Sequence, residues 1–244
     1  NDVYKKCNAA YAFGGPKQAL GMLNMNTDLY ITDYVTVGFE GLMEAVDALG
    51  GIEMEVTQAE ISHLNNYQIS MVGTTTDGMH FEANEGVDYT PVTEPGMQTL
   101  NGLQATAYCR IRHVGNDFQR TERQRNVLIA MMEKAKTASL GTLMSAADAV
   151  LPHVVTSVDV EDMLPVLGMI GDYKVTISEG FPFRDMLNGG PIRTEGECVV
   201  PISLEENVVR LHELLYPGEA YEPSEALKGY SKIIEEDTKD YLIY

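Results

Sequence analysis

The segment from Tyr108 to Arg125, YCRIRHVGNDFQRTERQR, carries Arg110, Arg112, Arg120, Arg123 and Arg125, five of the eight arginines in a chain whose formal charge is −19. Fixed positive charge gathered in one stretch of an acidic protein asks for a local anion. Guanidinium is planar, permanently charged and donates in pairs, which suits phosphoryl oxygens. Arg110 and Arg112 are two apart, so in an extended backbone both side chains point to one side and can reach one ligand. Arg120, Arg123 and Gln124 stand at three- and four-residue spacing and share one face of a helix. That face falls in the first turns, where the helix dipole disfavours basic residues by roughly 0.3 to 1 kcal/mol each. Arginines there do little for stability, but with the free amides of a helix start they can hold a phosphate or pyrophosphate. Asp117, the carboxylate inside the patch, has three open roles: helix cap, ligand of a divalent cation shared with the phosphate, or base for an incoming hydroxyl.

A purely structural network is the rival reading. Thr121 with Gln124 reads as a capping box, Glu122 can pair with Arg125 or Arg123, and Asp117 with Arg120. These pairings leave Arg110 and Arg112 without an acid nearby in sequence, which favours the anion. His113, beside the patch, reads as a bystander.

The elements that must position these residues follow from pattern. The opening CNAAYAFGGPKQALGMLN reads as a short segment, a Gly14-Gly15 turn and a helix with Pro16 at its first position. Leu29 to Phe39 is rich in β-branched and aromatic residues and reads as a strand. FEGLMEAVDALGG reads as an amphipathic helix with Leu42, Val46 and Leu49 on its apolar face, closed by Gly50-Gly51. GIEMEV alternates as a half-buried strand. Strand, helix and strand in succession imply a right-handed crossover in an α/β sheet. Gln58 to Val72 reads as a helix, and residues 73–96 as a long surface loop, a pocket wall or a plain insertion. RTERQRNVLIAMMEKAKTA is the clearest helix, with Val127, Leu128 and Met131 as its stripe. Helices near Thr142–Val150 and Val160–Ile170, strands near Tyr173–Ser178 and Glu197–Val200, and a helix Leu204–Leu215 behind Ser203 follow. The acidic, turn-rich Pro217–Tyr244 reads as a loosely held tail or linker.

Composition narrows the function classes. With 244 residues and 44% hydrophobic content, the chain can bury a sizeable core. A net charge of −19 repels a nucleic-acid backbone at long range, so no nucleic-acid partner is expected. No run reaches the roughly eighteen apolar residues of a membrane span. The chain opens on Asn1 rather than methionine, which reads as a processed or excised piece of something longer. Cys7, Cys109 and Cys198 are far apart and lack metal-ligand spacing, and they read as small buried hydrophobes.

The run LNGLQATAYCRIRHVGNDFQRTERQR from Leu100 resembles the most distinctive motif of the LytR-CpsA-Psr family: two arginines in R-x-R, then an aspartate, then R-x-x-R-Q. NAAYAFGGP and YVTVGFEGLMEAVDALGGIEMEV are further matches. The resemblance implies a three-layer α/β/α domain with a central mixed β-sheet, here residues 1–216, followed by the tail 217–244. It places that domain outside the cytoplasmic membrane, on an anchor helix preceding the residues present, with the sheet's first strands and further acidic metal ligands also upstream. The activity it implies is Mg²⁺-dependent transfer of an anionic or capsular glycopolymer from a polyprenyl pyrophosphate carrier to peptidoglycan. The implied partners are that lipid-linked donor, the peptidoglycan acceptor and the membrane lipid surface. Arg110, Arg112 and Arg120 would grip the pyrophosphate, with Arg123 matching the motif and Gln124 bonding a phosphoryl oxygen or its neighbours. Asp117 would support the metal or act as base, and Asp117 with Arg120 would be catalytic. The alternatives are a non-catalytic module that binds polyprenyl phosphates or anionic glycans and, more distantly, a nucleic-acid-binding regulator.

Overall fold

The computed structural model describes residues 5–75, 77–112, 114 and 117–241. Its contacts divide the chain into two compact units, Val35–Ser178 and the residues up to Tyr34 together with those from Glu179 onward. The division expected at residue 216 is not where the contacts part. The reason lies in the last helix, which packs its own core rather than trailing as a tail.

The Val35–Ser178 unit holds the arginine segment. Strand β1 (Val35–Val37) is followed by α2 (Phe39–Ala48), β2 (Ile52–Val56) and α3 (Gln58–Val72), where α1 is the helix Ala10–Thr27 of the other unit. Then come β3 (Gly96–Leu100), α4 (Gly102–Arg110), α5 (Asp117–Thr137), α6 (Leu140–Val150), β4 (Val154–Thr156) and α7 (Val160–Gly168). Helices alternate with strands, the α/β character expected. The described strands pair antiparallel and two by two: β1 with β4, and β2 with β3 in the register Ile52↔Leu100 to Val56↔Gly96. The strand-helix-strand crossover therefore does not put β1 beside β2. β1 finds its ladder on β4 and β2 finds its own on β3, antiparallel partners that both come later in the chain.

The alternation read in GIEMEV holds: Ile52, Met54 and Val56 are buried and Glu53 and Glu55 exposed. Their buried face joins Val46, Leu64, Leu100, Ala105, Ala107, Ile111 and Val127 in one core. Gly51, at φ +88, lets α2 turn into β2, and a Cβ there would meet the Leu100 carbonyl at 3.0 Å. The α3 helix begins and ends as read from sequence, and Thr57 and Glu60 form a reciprocal capping box at its start. In α5 the stripe is only partly right, since Val127 is buried and Leu128 exposed. Residues 173–178 form no strand and stay exposed; Tyr173, Val175 and Ile177 have β-propensity but find no neighbouring edge to pair with among the described residues.

The other unit is built from α1, the ladder of β5 (Leu187–Pro191) with β6 (Glu197–Pro201), α8 (Leu204–Leu215) and α9 (Glu225–Thr238). Gly14 and Gly15 kink α1 just before Pro16, as the turn reading expects. The pattern of LNGGP hid β5, because two glycines and a proline are poor strand formers held in place only by β6. Ser203 caps α8 as expected, its hydroxyl accepting from Glu206 N–H at 3.4 Å. The presumed tail carries α9 instead: Leu227 is fully buried against Leu204 and Val208.

Asp28 ties α9 to the end of α1. It closes α1 in the left-handed region (φ 49) and accepts from the Tyr221 hydroxyl, the Ser224 N–H and the Ser224 hydroxyl, each at 2.8 Å. Burial alone would raise its pKa, but the hydrogen bonds from Ser224 and Tyr221 outweigh that and hold the carboxyl below its ordinary value. A depressed folded-state pKa adds stability above the unfolded value and loses it as pH falls. Asp28→Ala is expected to lower stability by about 2 kcal/mol in urea unfolding at pH 7. The gap from the natural protein should shrink as pH drops below about 4.

Candidate anion site

The site is assembled from the end of α4 and the start of α5. The α4 helix is buried along nearly its whole length, from Gly102 and from Gln104 through Cys109. Asn101 caps it, accepting from Gln104 N–H at 2.9 Å, while Gln104 accepts the Asn101 N–H at the same distance. Gly102 lies so close to α2 that a Cβ would overlap the Met43 carbonyl oxygen, and its N–H donates to Asp47 Oδ1 at 2.7 Å. Small residues at Ala105 and Ala107 let α4 sit tightly among its neighbours, and that packing draws the helix on through Arg110.

The extended arm expected to carry Arg110 and Arg112 is therefore replaced. Arg110 is the last residue of α4, where a cation suits the helix dipole, and the chain leaves the helix at Ile111 (φ −57, ψ 121). The Arg110 guanidinium carbon lies 5.2 Å from the Phe39 ring centre and 5.6 Å from that of Tyr67. Arg112 is exposed and meets no acid among the described residues. His113 and its neighbours 115 and 116 lie outside the described residues.

Helix α5 starts at Asp117, so Thr121 and Gln124 stand inside it and do not cap it; the Thr121 hydroxyl donates to the Phe118 carbonyl at 2.9 Å. Asp117 thus opens the helix, with its side chain outside what the structure describes. Arg120 is half-buried and already engaged by the protein. Gln124 donates to the Cys109 carbonyl at 3.4 Å, a tether from α5 to α4. Arg125 donates to the Ser178 hydroxyl at 3.3 Å.

Arg123 departs furthest from the expectation. It is 5% exposed. Its Nε donates to Glu60 Oε1 at 2.7 Å, and its two terminal nitrogens donate to the Val114 carbonyl at 2.7 Å and the Ile111 carbonyl at 3.3 Å. It also lies 6.0 Å from the Tyr108 ring centre. Its donors are spent on the protein, so among the motif arginines it positions the loop rather than facing the ligand. Glu60, the residue sequence reasoning missed here, takes Arg123 with one oxygen and the Thr57 N–H and hydroxyl with the other, at 2.9 and 2.8 Å. The T-x-x-E capping pattern was legible; its partner on α5 was not.

Burial works to raise the Glu60 pKa, but hydrogen bonds from Arg123 and Thr57 and the Arg123 charge together lower it. Burial pushes the Cys109 thiol up to about 12 and the Tyr108 phenol up to about 12, which leaves both inert near neutral pH. A groove of about 620 Å³ runs between β2 and α5 and is lined by residues such as Met54, Tyr108, Ile129 and Ala130. None of Arg110, Arg112 or Arg120 lines it. No helix is long and apolar enough to cross a membrane, and no three His, Cys, Asp or Glu side chains gather as metal ligands, both among the described residues.

The α/β unit thus presents arginines from the end of α4 and the start of α5. The chain belongs to the LytR_cpsA_psr family, which it matches over residues 2–178. It is 34% identical over 131 residues to Biofilm regulatory protein A of Streptococcus mutans serotype c, covering 53% of this chain and 28% of that one. It is 30% identical over 161 residues to the polyisoprenyl-teichoic acid–peptidoglycan teichoic acid transferase TagU of Enterococcus faecalis, covering 65% and 45%. The chain thus spans less than half the length of these curated relatives. A solved Enterococcus faecalis structure, titled a transcriptional regulator, superimposes with a TM-score of 0.65 at 24% identity over 99% of this chain and 78% of that one, a likeness of fold.

Removing one partner of a buried ion pair leaves the other charge uncompensated. Arg123→Met is expected to destabilise the protein by about 3 to 5 kcal/mol in thermal or denaturant unfolding. Arg123→Met with Glu60→Gln should recover part of that loss. Because the Glu60 pKa is lowered on folding, the pair's contribution holds above about pH 4.5 and fades as pH falls through the acid range.

Proposed function

We propose that this chain is the pyrophosphate-holding part of a cell-envelope transferase that moves a glycopolymer from a polyprenyl pyrophosphate carrier to peptidoglycan. The observation that carries the reading is that Arg110 and Arg112 keep their charge without a described acid, beside the start of α5, while Arg123 is spent on fixing the loop between them. Membership of the family, and the transferase name of the TagU relative, support the choice of donor and acceptor.

In this reading Arg110, Arg112 and Arg120 hold the oxygens of the donor's pyrophosphate and neutralise its charge. An acceptor hydroxyl attacks the phosphorus that bears the glycan, and Asp117 takes its proton. The bridging P–O bond breaks, a phosphodiester forms, and polyprenyl phosphate leaves with the electron pair. Positioning and charge neutralisation make up most of the protein's share in such a transfer. Gln124 keeps α5 in place against α4. The described residues do not assemble a ligand set for the Mg²⁺ that the resemblance implies, so no step is routed through it. As a proposal, Asp117 and phosphate oxygens are the hard oxygen donors such an ion would use. The site would work on the outer face of the cytoplasmic membrane, where donor and acceptor meet.

The full-length protein with a labelled lipid-linked donor tests this. Arg112→Ala, which removes an exposed side chain and leaves the fold intact, is expected to cut release of polyprenyl phosphate about a hundredfold or more. Unchanged turnover would sink the proposal. Donor binding without turnover by the natural protein would mark a recognition module instead.

A further inference from the structure

The geometry points to Phe39 and Tyr67 as positioning residues that hold Arg110 as an open anion-binding arm. This rests on the anion-site reading and adds the means by which one of its arginines is kept ready. Phe39 opens α2, Tyr67 lies on α3 and Arg110 ends α4, so three helices bring one guanidinium against two rings.

What matters is which part of the guanidinium is used. A carboxylate partner would occupy the N–H donors and cancel the charge, as Glu60 does to Arg123. An aromatic ring attracts the cation through its π face and takes no N–H donor from it. Among the described residues Arg110 meets the two rings and no hydrogen-bond acceptor. The side chain is thereby restrained while its five donors remain available. Restraint before binding reduces the ordering that an incoming phosphate would otherwise impose on a long, flexible side chain.

Phe39 has a further mark of such a role. It is 55% exposed, so it contributes little to the core, and its ring is free to face the guanidinium. Tyr67 packs partly against the main core, and its ring serves both contacts. Among the described residues no acid pairs with Arg110. Glu40, next to Phe39, lies 3.5 Å from His153 instead.

The test uses the 244-residue protein, inorganic pyrophosphate as the probe, calorimetry for affinity, and the NMR resonance of the Arg110 Nε–H. Phe39→Leu and Tyr67→Leu are each expected to weaken pyrophosphate binding about two- to fivefold. Each should also relieve part of the upfield ring-current shift of the Arg110 Nε–H. Phe39→Tyr and Tyr67→Phe, which keep the rings, should bind as the natural protein does, a rescue that a role in volume alone would not require. Thermal unfolding of Tyr67→Leu separates loss of the core contact from loss of the arm. Unchanged affinity in both leucine variants, or an Arg110 resonance without ring-current shift, overturns the positioning role. No pyrophosphate binding by the natural protein overturns the anion-site reading beneath it, even where the resonance is shifted.

Discussion

The site depends on one buried ion pair. Arg123 of α5 donates to Glu60 of α3 and to two carbonyls, Ile111 and Val114, in the connection from α4. That single guanidinium therefore joins two helices and the connection between α4 and α5. A buried pair of this kind is a poor source of net stability, because removing both charges from water costs about as much as their attraction returns. What it provides is registry. The carbonyls at Ile111 and Val114 face inward to a cation, so the same connection must carry Arg112 outward.

The arginines of the motif then separate by what meets them. Arg123 meets a carboxylate and carbonyls and becomes structure. Arg110 meets aromatic faces and keeps its donors. Arg112 meets water. Five arginines close together in sequence thus do unlike work, and the difference is set by Glu60, Phe39 and Tyr67, which lie 63, 71 and 43 positions from the arginines they contact. Among the described residues no acid pairs with Arg110 or Arg112. At physiological ionic strength the field of acids elsewhere is screened within about 8 Å, so a local cluster can hold an anion despite a net charge of −19.

Local chemistry was legible where the reason for it was local. The alternation of Ile52, Met54 and Val56, the helix from Gln58, the cap at Ser203, and the Gly14-Gly15-Pro16 break all rest on rules spanning a few residues, and the structure has each of them. The misses have the opposite character. Arg110 and Arg112 read as one extended arm, but burial along nearly all of Gly102 to Cys109 carries a helix through Arg110. β5 is a strand only because β6 lies beside it, and Tyr173 to Ser178, with better strand residues, has no such neighbour. α9 was hidden by an acidic composition whose solvent face outweighs the one stripe, around Leu227, that packs.

The sequence by itself determined that this chain gathers guanidinium groups at the junction of α4 and α5, that the family motif runs through them, and that α3, β2 and α8 form where their patterns say. Tertiary structure decided which arginine is buried and which stays open to a ligand. The physical reason is that a guanidinium takes its role from whatever touches its faces and its N–H edges. Those contacts come from α2 and α3, at separations that no spacing rule within the motif can see.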